Sequence, residues 1–328
     1  MAACELVSKN VSVEGVGVSK TNLRIVSLIP SATEIVSQLG YGPYLVGRSH
    51  ECDFPTAVRD LPVCTEPKFD PVGTSEQIHR RVSNLLALAL SVYRVKTEVL
   101  AALQPTHIIT QAQCEVCAVS LSDVEVAVNS LVSAETAPIQ VVSLQPQCLA
   151  DVWSDMNRVA ASFADSADSL AKLESTVEQV KARIQPVKTN DPRPKVACIE
   201  WTEPLMVAGN WVPELVALAG GIDCLGKAGA HSDWTSWDEL AAADPEIIVV
   251  MPCGYDLAQT RQATEEMASR HEWSQLKAVR QNRVYITDGN QYFNRPGPRL
   301  VESWQILTEI IQGKPANPSR QPAGWAPV

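Results

Sequence analysis

Six short runs carry most of the reactive side chains of this 328-residue chain. They are Ser49-His50-Glu51-Cys52-Asp53, Cys114-Glu115-Val116-Cys117, Glu200-Trp201, Gly209-Asn210-Trp211, Pro252-Cys253-Gly254 and Tyr292 to Arg299 (YFNRPGPR). His50, Cys52, Cys114, Cys117 and Cys253 are all metal-ligand types. The Cys-x-x-Cys pair can chelate one zinc or iron ion, with another residue completing the set. The same groups can instead supply an axial ligand to the metal of a bound tetrapyrrole. They can form a redox dithiol, or simply pack as small buried hydrophobes. The residues alone leave these readings open.

Flat and charged groups cluster in the later runs. Tyr292 and Phe293 offer faces for a macrocycle, and Arg295 and Arg299 can pair with carboxylate or phosphate edges. Trp201 and Trp211 flank a loop containing Asn210, and all three are candidate ligand contacts. Glu200 can hold a ligand amide or an arginine. Trp237, at helical spacing from Leu240, reads as core. His79, His107, His231 and His271 stand isolated and receive no role. The chain has no nucleophile elbow, phosphate loop or His-Glu-x-x-His. A nucleophile system of His50, Glu51 and Cys52 would need neighbours on an extended chain to point the same way, against strand alternation. A non-catalytic binding protein is therefore expected. The competing reading is a metal- or thiol-dependent enzyme using the same Cys and His residues.

Most runs follow a strand pattern. Arg24–Pro30 (RIVSLIP) reads as a buried strand, and Ser31 with Glu34 as a capping box opening a helix to Gly40. Leu45–Arg48, His107–Thr110, Gln140–Leu144, Lys195–Glu200, Glu246–Met251 and Arg283–Asp288 are further strands. Helical patterns cover Ser75–Leu90, Lys96–Leu103, Ser122–Val132, Val212–Leu218, Ser236–Ala243, Thr260–Arg270 and Leu300–Gln312. Leu149–Gln185 has neither Gly nor Pro and reads as one helix of about 50 Å, bent near Phe163–Ala167. The expected organisation is a tail over 1–22, an α/β lobe over 23–146, a linking helix over 147–187, a second α/β lobe over 188–313 and a loose Pro-rich tail over 314–328. In such α/β lobes ligands bind outside the carboxyl ends of the strands. The six runs are thus expected to meet around one cleft between the lobes.

Composition excludes some partners. The net charge is −10, with no Lys/Arg block to meet phosphates, so nucleic acid is not expected. No stretch approaches the ~20 apolar residues of a membrane span. The first 22 residues show no apolar segment of the secretory kind, and the nine cysteines are odd in number. Together these give the expectation of a cytoplasmic protein.

The order and spacing of these runs resemble the helical-backbone metal receptor family, the periplasmic substrate-binding proteins for cobalamin, siderophores and haem. The resemblance spans residues 23–312. It is carried by RIVSLIPSATE (Arg24–Glu34) with Gly40 and Gly47, by Glu98 to Pro105 before HIIT, and by Asp238 to Pro245 before EIIVV. The SHECD, CEVCA, AGNW, PCG and YFNRPGPR runs resemble a cobalamin-binding-like subgroup. The resemblance implies two α/β lobes joined by a long helix, and a metal-containing ligand held between them: cobalamin, a related tetrapyrrole, or an iron–siderophore complex. It also implies cleft aromatics near Tyr93 and Trp234. A permease would contact Glu98 and, where the family has a second glutamate, Asp238 with Glu239 beside it.

Overall fold

The β-branched run after Leu23 forms β1 (Ile25–Ser27), buried along its whole length. It is central to the first lobe of the computed structural model, which describes residues 22–87, 92–112, 119–131, 138–188, 192–315 and 324–328. Next comes α1 (Pro30–Gln38). Pro30 opens it, because proline lacks only an N–H that a first turn cannot use. Ile29 is the N-cap and makes no side-chain cap bond. The capping box expected at Ser31 and Glu34 is therefore corrected: Pro30 starts the helix early, Ser31 falls inside the first turn, and Glu34 faces a different partner.

The rest of this lobe runs β2 (Leu45–Arg48), β3 (Thr65–Pro67), α2 (Ser75–Ala87), β4 (Tyr93–Val95), α3 (Thr97–Leu103), β5 (His107–Gln111), α4 (Leu121–Leu131) and β6 (Gln140–Leu144). Four strands form a parallel sheet in the order β2-β1-β5-β6. β3 and β4 form a separate antiparallel pair, Thr65 opposite Val95. Their three residues apiece are too short to show alternation in sequence.

The linking segment is two helices of 15 residues, α5 (Leu149–Phe163) and α6 (Ala167–Lys181). The single long helix is corrected here. Ala164 is extended and Ser166 caps α6 by accepting from the Ser169 N–H. Asp and Ser compete for backbone donors in this way, and so interrupt helices that contain no Gly or Pro. Tyr41 braces the break, its ring stacked on Phe163 at 4.7 Å and its hydroxyl donating to the Phe163 carbonyl.

The second lobe contains β7 (Lys195–Thr202), β8 (Leu205–Val207), α7 (Val212–Leu218), β9 (Ile222–Asp223), β10 (Asp233–Trp234), α8 (Trp237–Ala243), β11 (Ile247–Val250), α9 (Leu257–Ala268), α10 (Lys277–Arg280), β12 (Val284–Thr287), α11 (Leu300–Ile311) and β13 (Trp325–Pro327). Its seven-stranded sheet runs β10-β8-β7-β11-β12-β13, with β9 beside β7. β7, β11 and β12 are parallel. β13 is a third departure from expectation: the tail read as loose adds an antiparallel edge strand to β12, anchored by Trp325, whose Nε1 donates to Glu309.

One apolar cluster runs through both lobes. Ile35 and Val36 of α1, Val152 and Met156 of α5, Val177 of α6, Leu215 of α7 and Ile306 of α11 all belong to it. A shared close-packed core resists relative movement, because displacing either lobe opens voids. The far faces of the two sheets pack separately. The lobes also share a local device. α3 and α8 each end on a left-handed residue, Gln104 or Asp244, followed by a proline and a buried strand.

Candidate functional site

Segments that follow parallel strands of both sheets meet at one seam, and its buried contacts include ionic ones. Arg295 Nη1 donates to Asp53 Oδ1 at 2.7 Å and to Glu34 Oε1 at 3.1 Å, while its Nη2 donates to Asn290 Oδ1 at 3.0 Å. Arg299 lies 3.6 Å from the same Glu34 oxygen. Its guanidinium sits between the rings of Phe54 and Tyr292, at 4.3 and 4.7 Å. Glu34 and Asp53 come from the first lobe and both arginines from the second. Burial works against the Arg295 charge, but the Asp53 and Glu34 carboxylates overcome it and hold the guanidinium firmly protonated. Burial also opposes ionisation of Asp53, and Arg295 outweighs it, keeping that carboxyl below its usual range. Glu34 goes the other way. Burial pushes it up to about 7 against the pull of Arg295 and Arg299. Its Oε2 has no hydrogen-bond partner among the described residues, so a proton there leaves no bare charge.

Three of the five metal-type residues, His50, Cys52 and Cys253, fall among the described residues. Cys114 and Cys117 lie outside the described residues. Cys52 is buried, with its Sγ 3.0 Å from Thr33 Oγ1, and burial pushes its thiol up to about 11. His50 Nδ1 lies 2.8 Å from Thr65 Oγ1, which also accepts the His50 backbone N–H. Its ring packs 5.3 Å from Tyr93. Burial, then the charges of Lys96 and Arg48, lower its pKa to about 4, so the imidazole is neutral near pH 7. Cys253 is half-buried after β11, its N–H donating to the Glu200 carbonyl. Among the described residues, no three or more His, Cys, Asp and Glu side chains are grouped to hold an ion. His50 and Cys253 keep the chemistry of ligands.

The aromatic and polar candidates divide by burial. Trp211, Tyr292 and Phe293 are packed away, Phe293 at 1 % exposure. Trp211 Nε1 donates to the Phe293 carbonyl at 2.7 Å, which locks the loop before α11. Phe293 and Asn210 are both left-handed, at φ 65° and 51°. Asn210 bonds through its backbone, its N–H donating to the Ala230 carbonyl at 2.6 Å. Trp201 is half-buried at the end of β7, 5.4 Å from the ring of Tyr255. Trp234 is 53 % exposed. Tyr93 is buried and hydrogen-bonds Glu51, whose carboxyl burial raises to about 7. Glu200 accepts from Ser232 Oγ at 2.7 Å. Trp237 packs edge-on to Trp273 at 6.4 Å, as core. Glu98 and Asp238 are exposed in the first turns of α3 and α8, and Glu239 is taken up by the Ser236 cap.

Sequence reading missed Asp53, Asn290, Ser75 and Tyr255 as members of the seam. Asp53 was visible as part of its run. Ser75 and Tyr255 carried no local signal, since only the fold brings them together.

A family model described as "Periplasmic binding protein" matches residues 25–291. An uncharacterized ABC transporter substrate-binding lipoprotein, YvrC of Bacillus subtilis (strain 168), is 22 % identical over 306 residues, covering 91 % of this chain and 82 % of its own. The haem-binding protein RhuT from Roseiflexus sp. RS-1 superposes with a TM-score of 0.62 at 22 % identity, covering 89 % of this chain and 98 % of that one. The vitamin B12-binding protein BtuF of Vibrio cholerae gives 0.58 at 17 % identity, covering 88 % and 96 %. These matches bear out the two-lobed α/β fold, and they overturn the expectation of a cytoplasmic protein, because the family and these relatives are periplasmic proteins or lipoproteins. The cysteine argument failed for a physical reason. Cys52, Cys64, Cys148 and Cys198 are buried free thiols with raised pKa values. Such thiols are inert, and their number says little about the compartment.

Proposed function

The chain belongs to the periplasmic binding protein family, and from that premise we propose that it is the substrate-binding component of an ABC transporter. It carries a metal-containing ligand, a corrinoid, a haem or an iron chelate, in the cleft between its lobes and does no bond chemistry. What supports this reading is the seam itself: segments that follow strands of both lobes meet there, and Trp201, Trp234, His50 and Cys253, which stand in or just after strands, each keep some exposed surface. Indole faces suit a large flat ligand, and a neutral imidazole suits a metal or a hydrogen-bonding edge. The exposed first turns of α3 and α8, with Glu98 and Asp238, are the surfaces offered to a permease. An enzyme reading gains nothing from Cys52, whose thiol stays protonated and has Thr33, not a base, as its neighbour.

The test is a titration of the purified chain with haem, cyanocobalamin and a ferric siderophore, followed by visible spectra and tryptophan fluorescence. A shifted Soret or corrin band with quenched indole emission is the expected result. Ligand at a hundred times its Kd raises stability by about 2.7 kcal/mol, so thermal shift gives an independent readout. Failure of all three ligands in both assays sinks the metal-ligand reading.

A further inference from the structure

By sequence α2 belongs to the first lobe, yet its deepest contact is with the second. Ser75, in the first turn, is the fully buried residue of this helix. Its Oγ lies 2.7 Å from Thr202 Oγ1 and 3.3 Å from Tyr255 OH. One turn on, the His79 ring meets the exposed Trp234 indole edge-on at 5.2 Å. Thr202 ends β7 and Tyr255 follows β11, and both are buried where these strands of the second lobe finish. Toward its own lobe α2 offers half-buried side chains, with Val82 against the cluster of Val26 and Ile108. The preceding loop is tied to the helix, since Arg81 Nη1 donates to the carbonyls of Asp70 and Val72 at 2.9 and 2.5 Å.

This is the anatomy of a part that detaches. An element with few buried apolar contacts opens locally at low free energy. Hydroxyl contacts to the other lobe are directional, and exchanging one for water costs only about 1 kcal/mol net. Loop and helix would swing together, because Arg81 joins them.

We propose that α2 is a strap across the mouth of the interlobe cleft, clasped to the second lobe by the Ser75–Thr202–Tyr255 hydroxyls and by His79 against Trp234, and that ligand passes only when the clasp parts. The gating half of this proposal rests on the cleft being the ligand site. The strap itself does not, and can be tested on the unliganded protein.

Amide hydrogen exchange on the full chain compares wild type with Thr202→Val and, from the other side of the clasp, Ser75→Ala. Exchange over residues 77–87 is expected to quicken about fivefold, the factor for one net hydrogen bond lost, while β7 and β11 keep their rates. Unchanged α2 exchange in both variants overturns the strap, and so does a rise that spreads to β7 and β11 in both. Stopped-flow association of haem and of cyanocobalamin then tests the gate. Both variants are expected to bind faster than wild type by a similar factor, and equal rates overturn gating. If neither chromophore binds wild type while α2 exchange still responds, the strap stands and the metal-ligand reading of the cleft falls.

Discussion

Arg295 Nη1 donates to Asp53 Oδ1 at 2.7 Å across 242 residues of chain, joining the loop after β12 to the loop after β2. With Glu34 on its other side, Arg295 fixes how the lobes face one another. The Arg295 and Glu34 side chains are buried between the lobes, with 4 % and 1 % of their surface exposed.

Replacing Arg295 by Met leaves two carboxyl groups without their partner at a buried site. Removing one member of a buried pair costs ~3–5 kcal/mol. A large drop in the midpoint of urea unfolding is expected. A midpoint within error of wild type would show that the ion pair does not hold the seam.

Glu34 makes stability pH-dependent with a definite sign. Its carboxyl is raised from 4.5 to about 7 in the folded state. Between those values the folded chain binds the extra proton, so stability falls as pH rises through that window. The melting temperature of wild type relative to Glu34→Gln should therefore be higher at pH 5 than at pH 8. The opposite slope would mean that Arg295 and Arg299 win over burial and keep Glu34 ionised.

Asn210 separates a backbone role from a ligand role. Its φ of 51° is left-handed, where a side chain such as alanine costs about 1 kcal/mol and glycine almost nothing. Asn210→Gly should keep both stability and ligand affinity, while Asn210→Ala loses stability. Loss of affinity in the glycine variant would return the side chain to the binding site.

Among the tryptophans, exposure predicts the role. Trp201→Ala and Trp234→Ala should weaken haem or cyanocobalamin binding by roughly tenfold, about 1.4 kcal/mol, with little change in melting temperature. Trp211→Ala should do the reverse, because it removes a buried ring and the hydrogen bond to Phe293. Equal affinity in all three variants would place the ligand elsewhere.

Much of the architecture was legible because it rests on local pattern. The buried runs of β1, β5, β7 and β11 and the helices that follow them all obey periodicity and end signals that act over a few residues. The break between α5 and α6 was only half visible. A bend was indicated near Phe163, but nothing in the apolar spacing told that Ser166 would start a new helix. The strand at Trp325 was hidden by its Pro-rich surroundings, and its pairing with β12 depends on a partner about forty residues away.

Taken alone, the order of residues determined the two α/β halves, the connector between them and the chemical types gathered at the strand ends, since those follow from neighbours in the chain. Which of those types meet, and which are walled in, was decided only by tertiary packing. Glu34 looked like a helix cap and became an ion-pair partner of Arg295; Phe293 looked like a ligand face and became core; Ser75 looked like nothing and became the contact of α2 with the other lobe. Each outcome turns on burial and on partners far along the chain, 261 residues away for Glu34, 127 for Ser75 and 82 for Phe293, quantities that no local spacing encodes.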